Sequence, residues 1–550
     1  MIQTSEGAKK QFLSNKGLRK VVWRLFSLPP LVLEIVLYGV ALGFNFYRLG
    51  APSIWFDEAF SVELARQPLP LLWHIIFGPE PNMELYYLFL HYWLGFTQWL
   101  GFNPTEFVVR FPSAIFASLS TVVVFLLGRR FLGTFVGVVG ASLYLLNDLQ
   151  LVYAQQTRSY SLQLLLTCLA WYALLMALTS ESHQKRRWLA YIVTITLAVY
   201  AHLFSLLILL AQVVAVVGVL VLPGQWRDQA RKQFVASLIS LLAVGVLIIP
   251  MLLESLQGAK TDWLPVPHLH DLANLFFTIG GGDKPYVYAF VGCAILGVTS
   301  VLFSYGLVHL SGIRRPRLEH HWLGKMFLSS QQRFPMLWLL LCWLIVPLVV
   351  SYVVSQGATR LFSSRYLVVI LPPLFLLIGL GIATMRWRAL RVGLAISVIL
   401  LALWTVPSYY KSAQVEDWNS TAHWLEEQFE VDDGLVCYDS ALEQGCQVSI
   451  EYYLDAYPSL AHFTDDSPGA FSWENFGPAN PKAGTDAAVD PTALAAYGAK
   501  HPRLFFIVGR VADDAGAARA QAAQQWLDSN YHFVGQIVTR TVTIRLYQTT

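Results

Sequence analysis

The chain has 550 residues, of which 55% are hydrophobic and only 13% charged, with a formal net charge of +3. Soluble domains carry roughly 25% charged residues, so this composition excludes an ordinary soluble protein and points to a polytopic membrane protein. The small net charge gives no basis for a nucleic-acid partner, and none is expected.

Residues 1–28 are polar and basic (Lys9, Lys10, Lys16, Arg19, Lys20, Arg24) and precede a full-length apolar segment. They read as the approach to an uncleaved first span, with no cleavable signal peptide. A spanning helix needs about 20 mostly apolar residues. About eleven stretches qualify: 29–48, 107–127, 134–152, 161–179, 188–204, 205–222, 234–253, 286–309, 335–354, 366–384 and 391–408. Basic short loops set the orientation. The N-terminus, Arg129-Arg130, Lys185-Arg186-Arg187, 227–232, 314–333 and 386–391 then share one side, the cytoplasm. The opposite side receives 49–106, 153–160, the turn at His202, 254–285, 355–365 and the tail from 409. The expectation is a multi-pass protein of the plasma (inner) membrane, with its N-terminus cytoplasmic and its C-terminal part extracytoplasmic. Eighteen Trp and twenty-five Tyr suit interfacial aromatic belts.

Residues 85–100 are apolar enough to suggest a further span, but counting them would put Arg129-Arg130 outside and break the charge pattern of every later loop. Their aromatic and His content suits an interfacial helix within the first outer loop. That loop, 49–106, is long, and long structured loops are more often functional than idle. It is expected to hold short helices around Asp57, Glu80 and Glu84. Gly280-Gly281-Gly282-Asp283-Lys284-Pro285 reads as a turn or gate. It is no P-loop, because the Lys-Ser/Thr and the preceding strand are missing.

The tail changes composition. Residues 417–429 have helical spacing of Trp418, Trp424, Leu425 and Phe429. Residues 435–438 and 504–508 read as buried strands, 521–530 as a helix, and 533–538 and 541–547 as closing strands. Residues 464–490 read as a loop. The alternation predicts a small α/β domain over 409–550, beside a membrane domain over 1–408. Cys168, Cys293 and Cys342 lie in apolar runs and read as packing residues. Cys437 and Cys446 could pair if the tail lies in an oxidising compartment.

The stretch Ser53-Ile54-Trp55-Phe56-Asp57-Glu58-Ala59-Phe60-Ser61 sets two carboxylates beside a membrane. In one reading Asp57 only caps a helix over 58–66 while Glu58 favours its dipole. In the other, charges next to apolar segments are costly to desolvate and mark a functional site. The outer ends of the spans add Glu80, Glu84, Arg110, Arg158, Tyr160, His202, Arg360, Arg365 and Tyr366. A carboxylate there can act as a general base, and arginines can hold a phosphate through bidentate hydrogen bonds. Arg360 and Arg365 also suit headgroup snorkelling, though the outer side disfavours arginine. His202 is equally an interfacial His or a ligand, and Glu84 could only cap its helix.

Several stretches, taken in order, carry a resemblance. They are Asp57-Glu58 after the first span, Asn82-Met83-Glu84-Leu85-Tyr86-Tyr87 with Trp93, Arg110-Phe111-Pro112-Ser113-Ala114, Gly128-Arg129-Arg130-Phe131-Leu132-Gly133, Tyr153 to Tyr160, Arg365-Tyr366-Leu367 with Leu371-Pro372-Pro373, and Glu416-Asp417-Trp418. The chain resembles the GT-C superfamily of membrane glycosyltransferases, nearest the bacterial protein O-mannosyltransferase-like and aminoarabinose-transferase-like branch. It departs at Met83-Glu84, where many members carry Pro-Pro, and at Gln156-Thr157, where they carry an acidic residue and Ala.

The resemblance implies transfer of a hexosyl or pentosyl group from a polyprenyl-phosphate donor to an acceptor (protein, lipid or glycan) on the outer face. Asp57 would be the catalytic carboxylate and Glu58 its support. Arg158, Arg365, Arg360 and Tyr366 would serve the donor phosphate, and Glu80, Glu84, His202, Arg110 and Tyr86 would be supporting or acceptor-side residues. Some relatives use a divalent metal and others do not. Glu80, Glu84 and His202 could supply ligands, but their spacing is not metal-specific. Two rival readings stand beside this one. A polyprenyl-linked glycan ligase or polymerase would lean on outer-loop arginines and a His. A lipid or solute transporter would show inverted repeats and midplane polar breaks.

Overall fold

The structure, a computed structural model, describes residues 29–221, 226–255, 261, 264–310, 322–440, 445–455, 463–464, 466–476, 486–511 and 513–549. The basic residues of 1–28 and 314–321 lie outside the described residues. Through residue 412 the described chain is helical; beyond it a small sheet appears.

Five helices are long and apolar enough to cross a membrane: Glu106–Phe131, Tyr160–Thr179, Lys284–Gly306, Arg333–Val354 and Arg388–Ser412. A sixth span results if Thr134–Leu145 and Asp148–Ala154 count as one. The expected span over 134–152 corresponds to this pair and bends by 64° at the break. The Asn147 side chain accepts a hydrogen bond from the Gln150 N–H and caps the second piece. Its amide donates to the Ile279 carbonyl at 2.5 Å, which holds the bend against the segment that ends in Gly280. The expected span over 234–253 is likewise split, into Phe234–Leu247 and Ile249–Ser255. Other expected spans coincide with shorter apolar helices, Pro30–Phe46, Ser205–Val221 and Leu367–Ala383. Seventeen residues at 1.5 Å each fall a few ångströms short of a hydrocarbon core about 30 Å thick. The expected span over 188–204 corresponds to Gln184–Ala201, which opens on Lys185-Arg186-Arg187. Close helix contacts rely on small residues: a Cβ on Gly381 would overlap the Cys293 carbonyl of the neighbouring helix.

The connection over 49–106 contains three helices, Phe56–Arg66, Leu69–Ile76 and Glu84–Trp99. The last buries Tyr86, Tyr87, Leu90 and Leu94 and exposes Tyr92, Phe96 and Trp99, the two-faced pattern expected at 85–100.

Beyond residue 412, Trp418–Gln428 leads into strands β1 (Gly434–Asp439), β2 (Arg503–Gly509), β3 (His532–Val538) and β4 (Val542–Gln548). The sheet order is β1-β2-β4-β3, with β1 and β2 parallel and the other pairs antiparallel. Alternate residues of β1 face opposite cores. Leu435 and Cys437 pack with Trp418 and Leu425, whereas Val436 and Tyr438 pack with Leu494 and Leu527. The helix expected over 521–530 starts earlier, at Asp514, with Asp513 accepting from the Gly516 N–H.

Cys437 and Cys446 form a disulfide, with Cα atoms 5.8 Å apart and nine positions apart in sequence. Closing so short a loop removes about 2–3 kcal/mol of unfolded-chain entropy. Cys437→Ser is expected to lower the thermal unfolding temperature of the tail, and reduction of the native chain should do the same. An unchanged transition in both would sink this assignment.

Candidate active site

Backbone geometry settles the capping question for Asp57. The cap position belongs to Trp55, which makes no side-chain cap hydrogen bond; Asp57 lies in the first turn. The Phe56 N–H is instead taken by Glu416 Oε2 from the tail at 2.9 Å. The Asp57 carboxylate is thus left for other partners. Its Oδ2 lies 3.3 Å from Arg365 Nη1 and 4.0 Å from Arg158 Nη2. Arg158 also donates to the Asp57 carbonyl at 3.1 Å and to Ser61 Oγ at 3.0 Å, so it clasps the helix by its first turn. Burial opposes the charge on both arginines. The outcome is nevertheless upward for both: Asp57 leads the opposing influences at Arg158, and Tyr160 and Asp57 lead them at Arg365.

Aromatic rings frame this charged group. His202 lies 5.3 Å from the Tyr160 ring and 5.5 Å from the Tyr366 ring. Tyr366 stacks on Phe204 at 5.6 Å, and Tyr153 packs on Tyr160 at 4.5 Å. His202 Nδ1 accepts from the Phe204 N–H at 3.2 Å, which leaves the proton of the neutral ring on Nε2. That nitrogen is buried and makes no hydrogen bond to a described residue. Tyr86 and Tyr87 are buried within electrostatic reach of Arg158, and Glu80 also faces Tyr87 and Arg158.

Glu58 turns away from this group. It is fully buried and takes Arg110 in a two-pronged pair, Nε to Oε1 at 2.8 Å and Nη2 to Oε2 at 2.7 Å. Its Oε1 also accepts the Thr157 N–H at 2.7 Å. Arg110 spends its remaining donors on the carbonyls of Leu49, Pro52 and Ser53. The support Glu58 lends Asp57 is therefore architectural: it ties the Asp57 helix to the loop carrying Arg158. Arg110 belongs to the same anchor.

Arg360 does not join the cluster. Its guanidinium donates to the Ser355 carbonyl at 3.2 Å and its N–H to Thr261 Oγ1 at 3.2 Å. Glu84 is buried in the first turn of Glu84–Trp99, beside the Asn82 carbonyl that accepts from Leu203. Among the described residues no group of three or more His, Cys, Asp or Glu side chains is placed to hold a metal, so Glu80, Glu84 and His202 do not form a ligand set. Sequence reasoning missed Ser61 and Tyr87. Ser61 stands one turn from Asp57, a spacing that would have found it.

The tail seats itself on the same helix. Ser53 Oγ accepts from the Trp418 and Asn419 N–H groups, and the Tyr453 hydroxyl bonds Ser53, the Ile54 N–H and Glu106. Arg510 lies 4.2 Å above the Phe56 ring and 3.5 Å from Glu416. Lower on the helix Arg66 pairs with Glu63 and, at 3.1 Å, with Asp455. Burial pushes the Glu63 carboxyl well above its ordinary value and raises Glu451 from 4.5 to about 7, where neighbouring Asp455 adds and Gln447 subtracts. Between pH 4.5 and 7 folded Glu451 therefore keeps a proton that the unfolded chain releases, so stability falls as pH rises through that window. The unfolding temperature is expected to climb as pH is lowered from 8 to about 5.5, and Glu451→Gln should flatten that slope. A slope that survives Glu451→Gln intact would refute the assignment to Glu451.

Residues 88–253 match the family model of the dolichyl-phosphate-mannose-protein mannosyltransferases. That segment holds Arg110, Arg158 and His202 but neither Asp57 nor Arg365. The fold is similar to crystal structures of ArnT from Cupriavidus metallidurans. The apo state has a TM-score of 0.58 and 12% identity, covering 93% of this chain and 97% of that one. The state bound to undecaprenyl phosphate has 0.57 and 12%, covering 94% and 98%. The apo oligosaccharyltransferase of Archaeoglobus fulgidus matches at 0.51 and 12%, covering 94% and 74%. No curated protein matches the chain. The resemblance to GT-C glycosyltransferases read from the sequence holds at the level of family model and fold.

Proposed function

We propose that this chain is an integral-membrane glycosyltransferase that moves a sugar from a polyprenyl-phosphate donor to an acceptor on the extracytoplasmic face. The observation that carries this reading is Asp57, held 3.3 Å from Arg365 and 4.0 Å from Arg158 beside apolar helices. One carboxylate facing two guanidiniums is the pairing an inverting displacement needs. Without donor, Asp57 pairs with the two arginines and leaves a net positive charge. An arriving phosphate takes them over and frees the carboxylate. Asp57 then removes the acceptor hydroxyl proton. The acceptor oxygen bonds to the anomeric carbon from the face opposite the phosphate, and the bond from that carbon to the phosphate oxygen breaks. Polyprenyl phosphate leaves with its charge matched by Arg158 and Arg365, while His202 and Tyr366 line the space. The similar ArnT structure with undecaprenyl phosphate supports a lipid phosphate as the carrier of the donor sugar and the leaving group.

The topology that goes with this reading has about eleven spans, a cytoplasmic N-terminus, a membrane domain over 1–408 and an extracytoplasmic domain over 409–550. Arg129-Arg130, Lys185-Arg186-Arg187 and Arg386 share one side under it, as the positive-inside rule requires. The Glu416 and Tyr453 contacts with the Asp57 segment support a tail on the same side as Asp57, and the disulfide suits an oxidising compartment.

The test is to incubate the full-length protein in envelope membranes with a panel of labelled polyprenyl-phosphate sugars. Label appearing on an acceptor, with stoichiometric polyprenyl phosphate, is the expected result. Failure of every donor both to transfer and to bind would overturn the proposal.

A further inference from the structure

A groove of about 710 Å³ runs between Pro30–Phe46 and Arg388–Ser412, lined along its length by Val40, Gly43, Phe44, Leu403, Val406 and Pro407. At one end stand Tyr47, Arg48, Tyr410 and Lys411. The two helices finish at that level: the Tyr47 and Tyr410 rings meet edge-on at 4.9 Å, and the Tyr410 hydroxyl donates to the Phe44 carbonyl at 2.5 Å. Behind the groove Gln155 Nε2 donates to the Asn45 and Tyr47 carbonyls at 2.9 and 2.8 Å, so its wall is fixed by bonds rather than by whatever fills it.

Two cations stand at the mouth. Arg48 follows its helix directly, in a left-handed backbone conformation at φ 58°, and Lys411 lies in the last turn of the other helix. Among the described residues neither side chain has an ion-pair partner. One cation at a membrane interface is ordinary snorkelling. Two at the mouth of one apolar slot form a site for a group with a negative head and a hydrocarbon body. The arginines assigned to the donor phosphate, Arg158 and Arg365, do not line this groove.

We propose that the groove binds an anionic phospholipid of the bilayer, its phosphodiester between Arg48 and Lys411 and an acyl chain along Val40, Phe44, Leu403 and Pro407. A zwitterionic lipid fits less well, because its own cation meets two more. Gly43 forms open floor: a Cβ there meets nothing within 4 Å, so a side chain at this position starts into the slot and Gly43→Leu narrows it.

The test places the full-length protein in phosphatidylcholine nanodiscs with a trace of photoactivatable phosphatidylglycerol and maps the cross-linked peptides. Labels are expected on 40–48 and 403–411. They should fall about thirtyfold in Arg48→Gln/Lys411→Gln, as loss of two interfacial charges at about 1 kcal/mol each implies, and should also fall in Gly43→Leu. Unlabelled phosphatidylglycerol should compete far better than phosphatidylcholine. Equal labelling of folded native and Gln variants overturns the proposal. So does equal competition by the two lipids on the native protein, a measurement that needs no variant to fold.

Discussion

Asp57→Asn is expected to lower sugar transfer about 10³-fold, within the range removed with a general base. Donor binding should not weaken with it. The carboxylate that contacts Arg365 Nη1 at 3.3 Å competes with a phosphate for that guanidinium, so the neutral amide should leave the donor site as receptive as before or more so. The discriminating result is a split: turnover collapses while the donor dissociation constant stays level or drops. Both should be measured on the same purified sample, with labelled donor for transfer and unhydrolysed lipid phosphate for binding. Transfer within a factor of a few of the native rate would remove Asp57 from the chemistry and leave the fold assignment standing. Parallel loss of transfer and binding would instead make Asp57 an organiser of the arginines.

Glu58→Gln should act on stability instead. Its carboxylate pairs with Arg110 in a place closed to water, with the side chains 0% and 3% exposed. Removing one partner of such a pair strands the other charge and costs about 3–5 kcal/mol. The variant should therefore unfold at a markedly lower temperature in detergent, followed by tryptophan fluorescence. Replacing both partners by apolar residues, Glu58→Leu with Arg110→Met, removes the stranded charge and should recover part of the loss, although the carbonyls of Leu49, Pro52 and Ser53 and the Thr157 N–H lose their partners. A Glu58→Gln protein with native melting behaviour would exclude this anchor.

These two neighbours explain how much of the site was legible beforehand. Both stand out in the sequence as adjacent carboxylates beside apolar segments, because a charge at that depth is costly wherever the chain goes next. Their division of labour is invisible there. Consecutive helix positions point about 100° apart, and which face meets which partner depends on Arg110, Thr157 and Arg365, 52, 99 and 308 residues away. Arg360 illustrates the reverse error. It shares residue type and loop with Arg365, but its guanidinium turns back to the Ser355 carbonyl.

The tail teaches the same distinction. Its strands were readable because runs such as Leu504-Phe505-Phe506-Ile507-Val508 suit a buried strand in any context. That Glu416 would take the Phe56 N–H, 360 residues away, was not. The break at Asn147 lies between: an Asn-Asp pair is a capping signal, yet the apolar run around it suggested one continuous helix until Ile279 supplied the partner that holds the bend.

Hydrophobic run length, loop charge and strand alternation are properties of neighbours along the chain. They determined by themselves that this is a membrane protein with apolar helices, a mixed helix and sheet tail and acidic residues just beyond the first helix. Pairing between groups tens to hundreds of residues apart depends on how helices rotate and cross, which side-chain packing sets. Only the tertiary structure decided that Asp57 faces two arginines, that Glu58 and Arg110 hold the frame, and that Arg48 and Lys411 share one groove.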